Sequence, residues 1–280
     1  MRYSLLVILA LSLLVGCPKP ASDRDTGGQV SVATSSSQVT GDPLIVWADP
    51  LLKAPLVAIN EVFSELYSPG LTPVYIERGG LLARLEGEEP PALPVVFITA
   101  DTTTMAALSR SRYVDESTAR TFAGDRLVLV QQSAKGFETP TLFDTYRLRF
   151  NALGLGTEET AVGRYAEQAL ITEGCFSRLE ERLQRFDGTS SVLEALVAGE
   201  VQLAIVTASQ AAQQQGVEVL LLIGEDLHED IRYQAAASVE SAGSPAVQQL
   251  LMLLAEDDAV QALLTGYGLL GRELALQETK

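Results

Sequence analysis

The sequence is poor in the residues that build disulfide frameworks, metal centres and histidine-dependent active sites. Only two cysteines, Cys17 and Cys175, and one histidine, His228, occur in 280 residues. Two thiols cannot form a disulfide framework, and a structural zinc site needs four closely spaced ligands. His228 lies in the acidic run 225–230, which could ligate a cation, although a solvated acidic loop is the simpler interpretation. We therefore expect no bound metal and no cofactor.

Basic residues are also scarce, with 20 Lys and Arg against 36 Asp and Glu and a net charge of −16. Nucleic acids and anionic lipid surfaces recruit proteins through basic patches, so the charge argues against either as a partner, and we expect no nucleic-acid partner. A small anion is not excluded, because backbone amides can bind it through local geometry whatever the net charge. Aromatic residues make up 6% of the chain and hydrophobic residues 47%, which predicts aliphatic cores.

The motifs of nucleophilic catalysis are absent from the sequence. There is no Gly-x-Ser-x-Gly elbow, and the single histidine has no nucleophile near it in sequence. Glu158 and Glu159 form a carboxylate pair, but acidic residues in the first turn of a helix normally stabilise its dipole. We expect that the protein is not an enzyme.

Residues 1–42 indicate an export signal followed by a tether. The apolar run from Leu5 to Val15 is too short to span a bilayer and is typical of a secretory signal. It ends in Leu14-Val15-Gly16-Cys17, which resembles the lipobox of bacterial lipoproteins and implies that Cys17 is lipidated. Residues 18–42 cannot bury a core and predict a flexible tether. The protein is thus expected to be exported and lipid-anchored to a bacterial membrane, which would leave Cys175 as a lone buried thiol.

Strands alternate with helices from residue 43 onward, which predicts an α/β fold. Apolar strands that follow charged turns, at 127–131 and 231–235, are candidate crossings between two lobes. Lobe 1 would then comprise 43–125 and 232–280, and lobe 2 would comprise 126–231. Each lobe is expected to be a largely parallel sheet flanked by helices. Two helix starts, Ser191 with Glu194 and Thr207 with Gln210, fit capping boxes.

The segment 73–101 contains a strand, a glycine turn, a helix and a second strand, which is a βαβ unit. Its turn, Arg78-Gly79-Gly80, falls at the strand end, where open sheets bind ligands. Glycines lack the Cβ that would keep an anion from the backbone N–H groups, and the helix dipole favours negative charge there. The motif is equally compatible with a tight turn that binds nothing.

Six short segments, in this order, carry a family resemblance: Ile45–Ala48, Gly80–Glu86, Phe97–Asp101, Gly163–Leu170, Ala204–Ala211 and Tyr267–Leu269. Together they resemble the periplasmic molybdate-binding proteins, the solute-capture components of ABC importers, over roughly residues 44–270. The resemblance implies a two-lobe periplasmic-binding-protein fold that holds an oxyanion between its lobes through neutral hydrogen bonds. It also implies an ABC permease as partner, and we expect a monomer.

The resemblance further places the family's ligand-binding positions at Leu51, Arg78, Gly79, Gly80, Val162, Ser190 and Thr207. We add Asp49, which lies beside Leu51 in the sequence, to the predicted ligand-binding residues. The family's serines fall at Leu51 and in Arg78-Gly79-Gly80, and its tyrosine falls at Thr207. Two serine hydroxyls and a phenol are therefore missing, while backbone amides, including those of Val162 and Ser190, and the Thr207 hydroxyl remain. Since a hydrogen bond to a charged group contributes roughly 1.5–3 kcal/mol, three losses could weaken binding by two or more orders of magnitude.

Three hypotheses follow for the function. The first is capture of an oxyanion such as molybdate or tungstate, with Arg78 supplying charge in place of the lost hydroxyls. Asp49 would repel such an anion unless Arg78, Lys53 or Arg164 neutralises it. The second keeps the importer role but assigns a different small solute, suited to Leu51 and Asp49. The third is an interaction module of the same fold that no longer binds a solute.

Overall fold

Two mixed β-sheets flanked by helices form this computed structural model, which describes residues 39–85, 94–133, 135–188 and 190–277. The described residues belong to one structural unit, 37–280. The predicted signal peptide, Cys17 and nearly all of the predicted tether lie outside the described residues. No helix within the described ranges combines the length and the apolar character that a membrane crossing requires.

The strands are β1 (Val39–Thr40), β2 (Leu44–Ala48), β3 (Tyr67–Ser68), β4 (Leu71–Tyr75), β5 (Val96–Thr99), β6 (Arg120–Asp125), β7 (Leu127–Gln132), β8 (Leu153–Gly156), β9 (Leu183–Phe186), β10 (Leu203–Thr207), β11 (Val217–Leu222), β12 (Ile231–Ala237) and β13 (Leu270–Gly271). The α-helices are α1 (Lys53–Leu66), α2 (Arg78–Leu85), α3 (Thr102–Arg110), α4 (Ala161–Thr172), α5 (Phe176–Leu179), α6 (Ser191–Ala198), α7 (Ala208–Gln213), α8 (Pro245–Glu256), α9 (Asp258–Gly266) and α10 (Arg272–Gln277). Short 3-10 turns lie at Pro50–Leu52, Glu116–Thr118, Phe143–Arg147, Glu180–Arg182 and Glu225–Leu227.

The six-stranded sheet has the order β13-β6-β12-β5-β2-β4, and the five-stranded sheet has the order β11-β7-β10-β8-β9. In the first sheet β4, β2 and β5 run parallel, and in the second β10, β8 and β9 do. The chain leaves the first sheet after β6, enters the second at β7 and returns at β12, so the strands at both predicted crossings exist. The α/β class is therefore confirmed, whereas the lobe boundaries stay a prediction.

The expectation of largely parallel sheets needs a correction. Strand β7 runs antiparallel to both of its neighbours, β10 and β11, and β12 runs antiparallel to β5 and β6. Both strands follow a crossing and enter the middle of a sheet. Their direction is set by how the chain arrives from the other sheet, which local sequence does not encode.

Continuous apolar runs form the central strands because helices cover both faces of each sheet. All residues of β5, β8 and β10 are buried. On α1 the residues at helical spacing, Leu56, Ile59 and Phe63, turn inward and are almost fully buried. The parallel strands are thereby fixed as rigid supports for the loops at their carboxyl ends.

Candidate functional site

The carboxyl edges of the two sets of parallel strands face each other. Helix α2 begins just after β4, and α4 begins just after β8. The Arg78 Nη1 atom donates a hydrogen bond to the carbonyl oxygen of Glu158 (3.2 Å), and the Gly79 N–H donates one to the carbonyl oxygen of Glu159 (3.0 Å). These contacts join loops of the two sheets, and the space around them is called here the inter-sheet gap. Ligands of open α/β sheets bind at such strand ends.

The glycine pair lies within α2 rather than before it, because the helix begins at Arg78. A Cβ added at Gly79 would lie 1.6 Å from Oε2 of Glu159, so the close approach of the two loops depends on glycine there. The N–H of Gly80 donates to the carbonyl oxygen of Glu77 (3.0 Å). In this conformation both glycine amides that were predicted to face an anion already have protein acceptors.

Asp101 lies between two arginines that come from the two sheets. Nε of Arg78 is 3.8 Å from Oδ2 of Asp101, and Nη2 of Arg164 is 3.7 Å from Oδ1. Asp101 is 1% exposed and accepts hydrogen bonds from N and Oγ1 of Thr104, both at 2.7 Å, which caps α3. Arg164 Nη1 also lies 2.9 Å from Glu229.

Both guanidinium groups have buried nitrogens in this gap that make no hydrogen bond, although Arg78 Nε and Arg164 Nη2 are the atoms that approach Asp101. The Nε of Arg78 and the Nε and Nη2 of Arg164 are buried and have no hydrogen-bond acceptor among the described residues. The ring of Tyr165 lies beneath Arg164, 4.5 Å from its guanidinium carbon, and its hydroxyl is 3.4 Å from the carbonyl oxygen of Ala100. An anion with several acceptor oxygens is the group that such paired guanidinium donors fit best.

Asp49 lies at the end of β2 and is 4% exposed. Its Oδ1 accepts a hydrogen bond from the N–H of Leu51 (3.0 Å). Burial raises the pKa of Asp49 to about 8, with further increases from Glu77 and Asp101 outweighing the opposite effect of the Leu51 N–H. The sequence analysis named Arg78, Lys53 and Arg164 as possible neutralising cations, but the described ion pairs do not include Asp49, and both arginines approach Asp101 instead.

Leu51 and Ser190, two of the predicted positions, both line one cleft of about 630 Å³, called here the Leu51 cleft. Its other lining residues include Lys53, Val57, Glu194, Gln210 and Tyr267. A volume of this size is typical of sites for small organic molecules. Ser190 precedes α6 without a side-chain capping bond, so the predicted Ser191–Glu194 capping box is wrong.

Val162 and Thr207 occupy helix starts on the five-stranded sheet. Val162 is buried in the first turn of α4, whose cap is the Thr160 hydroxyl accepting from the N–H of Gly163 (3.0 Å). Thr207 is fully buried and forms the predicted capping box with Gln210, which is confirmed. The Thr207 hydroxyl is 3.1 Å from the Ser209 hydroxyl and accepts from the Gln210 N–H. Its hydrogen-bonding capacity is thus engaged within the start of α7.

A buried acidic group lies where the chain crosses between the sheets. Asp125 accepts hydrogen bonds from N and Oγ of Ser209, from the Arg126 N–H and from the Tyr233 hydroxyl (3.3 Å). Burial raises the pKa of Asp125 to about 6, although the hydrogen bonds act in the opposite direction. These contacts tie β6, α7 and β12 together at the crossing.

The acidic run 225–230 is only partly the solvated loop that the sequence indicated. His228 is buried, its Nδ1 lies 2.7 Å from the carbonyl oxygen of Glu229, and burial lowers its pKa. Within the described ranges no cluster of three or more His, Cys, Asp or Glu is arranged to hold a metal ion. The prediction that Cys175 is a buried free thiol is confirmed.

Two α/β sheets with facing carboxyl edges, joined by two crossings of the chain, are the architecture of a two-lobe solute-binding protein. The chain belongs to the bacterial extracellular solute-binding protein family, whose model matches residues 44–270. It is accordingly an exported protein, and the resemblance to periplasmic molybdate-binding proteins is confirmed by its relatives.

The molybdate-binding protein ModA of Escherichia coli (strain K12) is 29% identical over 161 residues, which cover 56% of this chain and 62% of that protein. ModA of Haemophilus influenzae is 26% identical over 197 residues, covering 67% of this chain and 74% of that protein. The periplasmic molybdate-binding protein of Azotobacter vinelandii has a similar structure, with a TM-score of 0.68 over 81% of this chain and 98% of that chain. Its identity of 16% supports the fold alone.

Proposed function

We propose that this protein is the lipid-anchored capture component of an ABC importer and binds a small oxyanion of the molybdate or tungstate type in the inter-sheet gap. One observation carries the choice of an anion. Guanidinium groups from both sheets, Arg78 and Arg164, meet there with buried nitrogens that make no hydrogen bond in the described part of the chain, two of which approach Asp101 at 3.8 and 3.7 Å. The molybdate-binding relatives support the same class of solute.

Helix starts supplement the arginines. Helices α2 and α4 begin at the two loops that form the gap, so their dipoles favour an anion there. Helix α6 begins at Ser191, next to Ser190 in the Leu51 cleft. Because Asp101 and Glu229 offset the charges of the two arginines, the oxyanion is held largely by hydrogen bonds.

Isothermal titration calorimetry of the detergent-solubilised mature protein tests this proposal. Molybdate, tungstate, sulfate and phosphate are titrated separately, and we expect saturable heat with molybdate or tungstate. The Arg164→Ala variant should bind at least tenfold more weakly, since a charged hydrogen bond of roughly 1.5–3 kcal/mol is lost. Arg147→Ala is the matched control, because Arg147 is exposed and pairs with Asp144 within the turn Phe143–Arg147, with no described contact to Asp101. No heat with any of the four anions at millimolar concentration rejects the proposal.

The anchor and the importer role are supported by the lipobox ending in Cys17 and by family membership. In this proposal acyl chains on Cys17 hold a monomer at the membrane, where it delivers its solute to an ABC permease. Membrane fractionation tests the anchor. The parent protein should sediment with membranes and carry a lipid-sized mass increment, while Cys17→Ser should lack both. A parent protein with an unmodified Cys17 contradicts the anchor and leaves the solute site unaffected.

A different small solute is the second candidate, and the Leu51 cleft favours it. Leucine stands where the family has a serine, and about 630 Å³ exceeds what a tetrahedral oxyanion needs. Native mass spectrometry of the protein as purified discriminates between the two. A retained organic molecule supports the second candidate, and a retained oxyanion rejects it. If the purified protein retains neither an organic molecule nor an oxyanion, and calorimetry detects no heat with any of the four anions, the third hypothesis is supported, namely an interaction module that binds no solute.

A further inference from the structure

Asp49 lies in a small crevice directly behind the inter-sheet gap. The crevice is bounded by Ile76, Arg78, Thr99 and Asp101, at the ends of three parallel strands. Arg78 also reaches Glu158 across the gap, and Leu51, whose N–H bonds to Asp49, lines the Leu51 cleft. The Asp49 carboxyl group is therefore connected to the inter-sheet gap through Arg78 and to the Leu51 cleft through Leu51.

This carboxyl group is deeply buried without a cationic partner. It is 4% exposed, and no ion pair between described residues involves it. The charged and titratable groups around it are Glu77 after β4, Arg78 on α2, Asp101 after β5 and Tyr233 on β12. Two of these four are carboxyl groups, Tyr233 is a phenol, and Arg78, the one cation among them, lies against Asp101. An ionised carboxylate in this position would be desolvated and repelled, and burial with these neighbours raises its pKa to about 8.

We propose that Asp49 is the specificity-determining residue of the site, present as a neutral carboxylic acid that donates its O–H to the bound anion. This inference rests on the proposed oxyanion capture. It assigns to Asp49 the hydrogen-bond donation that the family obtains from the serine replaced here by Leu51. A protonated carboxyl group has one donor and, unlike a carboxylate, does not repel the solute.

The consequence is that capture is coupled to a proton. Below about pH 8 the acid is already protonated and binding needs no proton exchange. Above that pH the empty site ionises, so binding must take up one proton from the buffer, and affinity falls about tenfold per pH unit. A site of neutral donors alone would show no such dependence.

Calorimetry with tungstate from pH 6 to pH 9.5 tests the inference on the full mature protein. For the parent protein we expect constant affinity to about pH 8, then a decline, with a heat that depends on the buffer's ionisation enthalpy. Asp49→Asn keeps an N–H donor but cannot ionise, so its affinity should vary less than threefold over the whole range. Asp258→Asn, which removes an exposed carboxyl group on α9, should reproduce the parent profile.

The outcomes separate the inference from the proposed function. Tungstate binding by the parent protein with no decline up to pH 9.5 overturns the inference and leaves oxyanion capture intact. Failure of all three proteins to bind at every pH overturns both. Should Asp49→Asn not fold, Asp49→Ser, which returns a hydroxyl to this edge, replaces it with the same expected pH independence. A pH decline in the serine variant equal to that of the parent also overturns the inference.

Discussion

The buried carboxyl group of Asp49 makes a quantitative prediction for the protein without any solute. Its pKa moves from 3.8 to about 8 on folding, a shift of about four units. Each unit corresponds to about 1.4 kcal/mol, so holding Asp49 in its buried position costs up to about 6 kcal/mol at pH 8 and above. Asp49→Asn removes the titration and keeps the shape of the side chain.

The sign of the pH dependence follows from the raised pKa. Below pH 3.8 Asp49 is protonated in both the folded and the unfolded chain, so the stability associated with it is fully present. Between pH 3.8 and about pH 8 only the unfolded chain releases this proton, so the free energy of unfolding falls as the pH rises. The Asn variant should therefore gain about 4 kcal/mol relative to the parent between pH 5 and pH 8.

Urea unfolding at pH 5, 6, 7 and 8 measures this difference, because effects of all other titrating groups cancel between parent and variant. Asp258→Asn supplies the baseline for loss of one exposed carboxyl group. A difference between Asp49→Asn and the parent that stays constant across the four pH values would mean that Asp49 is ionised in the folded protein. The reasoning about its burial would then be refuted.

Three further results are expected. Gly163→Ala should cost about 1–3 kcal/mol in thermal unfolding, because its Cβ would lie 2.1 Å from the backbone oxygen of Thr157. Gly266→Ala, whose Cβ would have open space, is the control, and equal stabilities of the two variants would contradict the packing of α4 on β8. Cys175 should resist iodoacetamide at pH 8, because burial raises the pKa of its thiol to about 11, and it should react once the protein is unfolded. Prompt labelling of the native protein would contradict the burial of this thiol. Tyr165→Phe should lower stability by less than about 1.5 kcal/mol, since its hydroxyl makes only 3.4 Å contacts; complete unfolding would contradict this.

Much of the fold could be predicted because its local signals are strong. The strands β5, β8 and β10 are apolar runs bounded by turn residues, and the start of α7 carries both partners of its capping box. The alternation of these elements with helices indicated the α/β class. The direction of β7 and β12 was not predictable, because it depends on where the chain returns from the other sheet.

The candidate site was only partly predictable, because its contacts join residues distant in sequence. Arg78 and Glu158 are separated by 80 positions, and Gly79 contacts Glu159 through backbone geometry that no motif encodes. Asp101 caps α3, but no motif in the sequence indicated that it would lie between two arginines. Asp101 and Arg78 each follow a predicted strand, and this shared position at strand ends was the signal that could have placed the two residues together.

Anomalous diffraction from crystals grown with tungstate is the most direct test of where the solute binds. We predict a tungsten peak in the inter-sheet gap, with oxygens of the bound tungstate within hydrogen-bonding distance of Arg78, Arg164 and the carboxyl group of Asp49. A peak on another surface, or an organic molecule in the Leu51 cleft with no tungsten in the gap, would contradict it.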